Sequence, residues 1–154
     1  MPGSDPCFRR LSPSTSAFWI RIRTSPSTSP TLRDADPVLI ADDSHLFGDA
    51  VELILEADER IEVVGRALDG AQAVTLAREL DPDVVLLEIS MPGVGGIEAI
   101  EAMLREDADR RVLVLTGSAD PVDREKAQEA GAVGYLTKEQ IADGLVPGVL
   151  AAAG

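Results

Sequence analysis

Polar side chains stand at or just behind the ends of four apolar runs in this chain. Asp42-Asp43 follow Val38-Leu39-Ile40-Ala41, and Glu88 follows Val84-Val85-Leu86-Leu87. Thr116 closes Val112-Leu113-Val114-Leu115, and Lys138 comes just after Val133-Gly134-Tyr135-Leu136. If those runs are neighbouring parallel strands, three carboxylates, a hydroxyl and an ammonium converge on one rim. Crowded carboxylates repel, and a hard divalent cation such as Mg²⁺, which prefers oxygen ligands and keeps some of its water, relieves the repulsion. A metal held there can also coordinate a phosphoryl oxygen. Lys138 and Thr116 could take the remaining phosphoryl oxygens by charge and hydrogen bond. The set suits phosphoryl transfer to a carboxylate, where catalysis is mostly positioning and charge neutralisation.

The elements that must position these groups are legible from Pro37 onward. Ser44 is a plausible N-cap ahead of Leu46, Phe47, Ala50, Val51, Ile54 and Leu55, spaced for a helix. Ile61 to Val64 reads as a second strand. Asp69-Gly70 turns the chain into a stripe of Ala73, Val74, Ala77 and Leu80, which Asp81-Pro82 stops. Val84 to Leu87 is the most hydrophobic run and so a central strand. A Pro/Gly loop from Met91 to Gly96 precedes a third stripe beginning Ile97, Ile100, Leu104. Val112 to Leu115 is the fourth strand, and Pro121 to Ala130 a polar helix ended by Gly131. Val133 to Leu136 is the fifth strand. A last helix over 139–153 contains Pro147, which should kink or shorten it. The pattern predicts an α/β, flavodoxin-like (βα)5 three-layer sandwich with a parallel five-stranded sheet in the order 2-1-3-4-5. In that order the crevice lies at the carboxyl ends of strands 1 and 3, where the acids stand.

Composition narrows the function classes. The chain has 154 residues, a formal net charge of −13 and 3% aromatic residues, so aliphatic side chains must fill one modest core. That charge argues against direct nucleic-acid binding. Apolar runs of four or five residues cannot make a transmembrane helix. The single Cys7 excludes an internal disulfide framework and a cysteine-based zinc site. The expected setting is reducing and cytoplasmic, away from membranes. Residues 1–36 differ from the rest: 16 of them are Ser, Thr or Pro, and they carry +2, against −15 for residues 37–154. Such a stretch is expected to be a mostly disordered tail. Its Phe18 to Arg23 island has no assigned role. The lone His45, beside the acidic pair, is expected to be exposed and without a ligand role.

Taken together, the order, spacing and flanks of these motifs across residues 37–154 resemble the receiver domain of a two-component response regulator. Val38 to Asp43 resembles the family's opening strand and acidic pair. Pro82 to Gly93 resembles its phospho-acceptor strand and following loop. Val112 to Thr116 supplies the switch threonine, and Ala130 to Lys138 the switch aromatic, Tyr135, and the lysine. The flavour is that of nitrate-regulator receivers, without their helix-turn-helix output domain. The resemblance implies Asp43 as a direct Mg²⁺ ligand, Asp42 acting partly through water, Glu88 in the metal sphere, and the Ser90 carbonyl completing the protein ligands. It implies phosphoryl contacts from Thr116 and Lys138, and a signal reported to partners through Tyr135. Implied partners are a sensor histidine kinase or another signalling protein, with homodimerisation conceivable through the fourth helix and fifth strand.

Three positions depart from the family. Glu139 stands where many receivers have Pro, and Gly95 where an Asp is common. The most informative is Glu88, which stands where the acceptor is Asp. Glutamate is one methylene longer, so its carboxylate projects about 1.5 Å further, one carbon–carbon bond. A misplacement of about 1 Å can cost on the order of 100-fold in rate. Phosphorylation is therefore expected to be poor or absent, with Glu88 paired to Lys138 or a metal and biasing the domain toward one signalling state. The expected function is signal relay by protein contact, not enzymatic turnover. The alternative is a degenerate receiver that acts only as a phosphate-independent interaction module. A small Mg²⁺-dependent phosphohydrolase is a third class, disfavoured because Ser90 and Ser44 stand where a general acid would be needed.

Overall fold

The computed structural model describes residues 35–154, together with two three-residue segments, 8–10 and 19–21. Those two segments pair as antiparallel strands, with Arg9 opposite Ile20. The remainder of the expected disordered tail lies outside the described residues.

Five strands and five helices alternate along the body: β1 (Asp36–Ala41), α1 (His45–Glu56), β2 (Ile61–Ala67), α2 (Gly70–Leu80), β3 (Val84–Leu87), α3 (Gly96–Glu106), β4 (Val112–Thr116), α4 (Pro121–Ala130), β5 (Gly134–Thr137) and α5 (Ile141–Ala153). The sheet order is β2-β1-β3-β4-β5, all parallel, as the pattern required.

Alternation along the strands splits the core in two. Leu39, Ala41, Val85, Leu87, Val112 and Val114 face α2, α3 and α4. Val38, Ile40, Val84, Leu86, Leu113 and Leu115 face α1 and α5. Most of these side chains are fully buried, which explains why β1, β3 and β4 read as unbroken apolar runs. Burying a Leu or Val side chain is worth roughly 1.5–3 kcal/mol, so the rim rides on a rigid support.

Helix starts follow the expected chemistry. The Ser44 hydroxyl accepts from the Phe47 amide at 3.2 Å, and the Asp69 carboxylate accepts from the Gln72 amide at 2.8 Å. Gly131 ends α4 with φ +111°, a conformation that suits glycine. The α3 stripe holds, with Ile100 buried and Ile97 and Leu104 packed against the core, and Ala99 and Met103 join it at 1% exposure or less. Two expectations shift. The fifth strand starts at Gly134, one residue late. Pro147 does not shorten α5, which is preceded by a 3₁₀ turn over Lys138–Gln140 and continues through the proline to Ala153. The carbonyl that Pro147 leaves without its ladder partner belongs to Asp143, which is exposed, so water can replace the lost donor.

Candidate functional site

The parallel register sets the rim. Ala41 pairs with Leu87, and the Glu88 amide donates to the Ala41 carbonyl at 2.9 Å, so Asp42 and Glu88 leave adjacent strands side by side. Thr116 pairs with Thr137, which puts Lys138 immediately beyond it. The two acids are buried, at 4% and 5% exposure. Each is anchored by its own turn. Asp42 Oδ1 accepts from the Ser44 amide at 2.8 Å, and Glu88 Oε1 accepts from the Ser90 amide at 3.0 Å.

Glu88 is the hub. The Thr116 hydroxyl donates to its Oε1 at 2.5 Å. The Gly117 amide donates to Oε2 at 3.4 Å. Lys138 Nζ stands 3.1 Å from Oε2 and 3.0 Å from Asp42 Oδ2. One ammonium thus bridges two carboxylates within hydrogen-bond reach, one positive charge against two negative ones. Burial alone would lower the Lys138 pKa, but the bonds from Asp42 and Glu88 outweigh it and hold the ammonium above the ordinary lysine value. The ammonium also lies 4.1 Å from the centre of the Phe47 ring on α1.

The structure brings together Asp42, Glu88, Thr116 and Lys138, all read as site residues from sequence. The expected cluster of three carboxylates is instead two carboxylates and a cation. Asp43 is exposed, in the bend that follows β1. Ser90 is exposed and contributes its amide to Glu88. Among the described residues no three Asp, Glu, His or Cys side chains are grouped to cage a metal. Asp42 and Glu88 nevertheless fit a hard cation by type and by direction, since both already converge on one positive centre. His45 is exposed, and its carbonyl accepts from Arg66 at 3.2 Å.

Thr116 passes the connection onward. The Ser118 amide donates to the Thr116 hydroxyl at 3.2 Å, and the Ser118 hydroxyl donates to Asp123 on α4 at 2.6 Å. Tyr135 donates its phenol to the Ser118 carbonyl at 2.8 Å. Burial is the main cause that raises the Tyr135 pKa above its usual value. The ring lines a shallow cleft of about 220 Å³ between α4 and β5, with Arg124, Ala127, Gln128 and Val133. Sequence reading missed three contributors: Phe47, Ser118 and the close approach at Gly96. A Cβ on Gly96 would stand 2.3 Å from the Ile89 Cα and 2.8 Å from the Glu88 carbonyl oxygen. Only a glycine lets α3 start against the strand end that carries Glu88.

Comparison with known proteins decides the family. Residues 38–148 match the response regulator receiver domain. The chain belongs to that family. It is 42% identical over 101 residues to the response regulator GacA of Pseudomonas aeruginosa, covering 66% of this chain and 47% of that protein. It is 38% identical over 116 residues to the nitrate/nitrite response regulator NarP of Escherichia coli, covering 75% and 54%. The chain therefore spans about half the length of the curated relatives it matches. Among solved structures, the signal receiver domain of NarL from Mycobacterium tuberculosis superposes with a TM-score of 0.74 at 34% identity, covering 78% of this chain and 97% of that one. The isolated receiver of RcsB from Salmonella enterica, solved with phosphomimetic BeF₃⁻, gives a TM-score of 0.68 at 27% identity. A receiver domain of this kind is a signalling module of two-component systems, met by histidine kinases and other signalling proteins. No helix among the described residues is long and apolar enough to cross a membrane.

Proposed function

We propose that this receiver relays a signal by protein contact in the cytoplasm, with Glu88 holding the switch residues in place of a phosphoryl group. One observation carries the reading: the Glu88 carboxylate accepts from the Thr116 hydroxyl and the Ser90 and Gly117 amides while paired to Lys138. In an aspartyl receiver a transferred phosphoryl group would supply oxygens to such donors. Here the longer side chain brings its own, so the Thr116–Ser118–Tyr135 connection is held without covalent chemistry. The imitation is partial, because a carboxylate carries less charge and fewer oxygens than a phosphoryl group.

Asp42, Asp43, Glu88 and the Ser90 carbonyl would hold Mg²⁺. When bound, that ion would neutralise the acids and polarise a phosphoryl oxygen. Lys138 already occupies the space between Asp42 and Glu88, so the ion must compete with the ammonium and binding should be weak. A sensor histidine kinase is the expected upstream partner, and the α4–β5 face bearing Tyr135 the expected output surface, for another protein or a second copy. The reading is tested by incubating wild-type protein and Glu88→Asp with Mg²⁺ and acetyl phosphate and weighing the intact chains. Only the aspartate form should gain a hydroxylamine-labile phosphoryl group. Gain by the wild type would overturn the proposal.

A further inference from the structure

The ammonium at the centre of the site has a third wall besides its two carboxylates. Phe47 sits on the first turns of α1, is half-buried, and packs against the core cluster that includes Val51 and Leu55. Its ring is therefore held from behind, and its face is presented to Lys138 Nζ at 4.1 Å from the ring centre. The Ser44 hydroxyl accepts from the Phe47 backbone amide, so the same cap that starts α1 fixes where the ring stands. The ring offers the negative face of its quadrupole to a cation that is only one-quarter exposed, and such contacts strengthen as water is removed.

We propose that Phe47 is a positioning residue for the site: its ring holds Lys138 between Asp42 and Glu88, keeping the ammonium paired with both acids and in the way of a competing cation. The inference rests on the reading that Lys138 is the resident counter-ion of Glu88. It assigns a function to a residue that periodicity alone places in the core stripe of α1. Leucine at this position keeps aliphatic packing and removes the ring face, and tyrosine keeps both.

The test compares wild type, Phe47→Leu and Phe47→Tyr, reading Lys138 directly by NMR of its side-chain ammonium and titrating each protein with Mg²⁺ alone. A contact of about 0.5–2 kcal/mol corresponds to a factor of roughly two to thirty. In Phe47→Leu the Lys138 ammonium protons should exchange with solvent faster by that factor, and the Mg²⁺ midpoint should fall by a similar one. Phe47→Tyr should restore wild-type exchange and midpoint, which a packing role alone does not require. Ammonium exchange unchanged in Phe47→Leu would overturn the proposal, as would a tyrosine variant that behaves like leucine. These readouts do not depend on phosphorylation. A wild type that accepts a phosphoryl group would sink the functional reading and leave the Phe47 result standing on its own.

Discussion

Replacing Lys138 by methionine isolates the electrostatics on which the site depends. The ammonium lies 3.0 Å from Asp42 Oδ2 and 3.1 Å from Glu88 Oε2. Those carboxylates are 4% and 5% exposed. Methionine fills much of the same volume but leaves two buried acids facing one another without a cation. Removing one partner of a buried ion pair costs about 3–5 kcal/mol. Lys138 is one-quarter exposed, so water screens part of the charge and a smaller loss than that range, about 2–3 kcal/mol, is expected. With an unfolding entropy of roughly 2 cal/mol/K per residue over about 120 residues, the midpoint of thermal unfolding should fall by about 8–12 °C. Glu88→Gln removes one of the stranded charges. The double variant should therefore be more stable than the sum of the singles by about 1–2 kcal/mol. The pH dependence has a definite sign. The Lys138 pKa is raised on folding, so its contribution is complete below the ordinary lysine value, about 10.4, and is lost as pH rises through the higher folded value. The gap between wild type and Lys138→Met should be constant around neutrality and close only in strong alkali. Urea unfolding followed by circular dichroism across that range is the assay. A loss below about 0.5 kcal/mol, or strict additivity with Glu88→Gln, would refute the reasoning.

Three other outcomes are expected. The single tyrosine makes its titration easy to read by ultraviolet absorbance; Tyr135 should ionise above its ordinary value because burial disfavours the phenolate, and a midpoint at or below 10 would contradict its placement. Thr116→Val removes the donor to Glu88 and the acceptor for Ser118 while keeping shape, so stability should fall by about 1–3 kcal/mol and amide exchange in the 117–120 loop should accelerate; unchanged exchange would break the proposed link from Glu88 to Tyr135. Gly96→Ala should destabilise by more than about 2 kcal/mol because its Cβ meets backbone, whereas Gly144→Ala in α5, whose nearest contact is 3.4 Å, should stabilise by up to about 1 kcal/mol; equal effects in chemical unfolding would refute the packing argument.

Much of this arrangement is written locally in the chain. The strands are legible because β1, β3 and β4 are buried on both faces and leave unbroken apolar runs. The helix starts at Ser44 and Asp69 are legible because capping is chemistry between residues three apart. Asp42, Glu88, Thr116 and Lys138 stand out because each is polar where an apolar run ends. What Lys138 does with them depends on register between strands far apart in sequence, and no local signal carries that. The adjacent acids look alike as letters, yet the turn after β1 folds Asp42 back onto the Ser44 amide and buries it while Asp43 is exposed. Phe47 is hidden for a different reason: its spacing fits the α1 core stripe, and its second contact, to Lys138, crosses 91 positions of chain. Pro147 misleads in the other direction, because an exposed carbonyl four residues earlier makes the lost hydrogen bond inexpensive.

The central claim is that the extra methylene of Glu88 puts a carboxylate where a phosphoryl group would otherwise go. Intact mass of wild type and Glu88→Asp after incubation with Mg²⁺ and acetyl phosphate tests it most directly. The account predicts a hydroxylamine-labile phosphoryl adduct on Glu88→Asp and none on the wild type. An adduct of equal yield on the wild-type chain would contradict it.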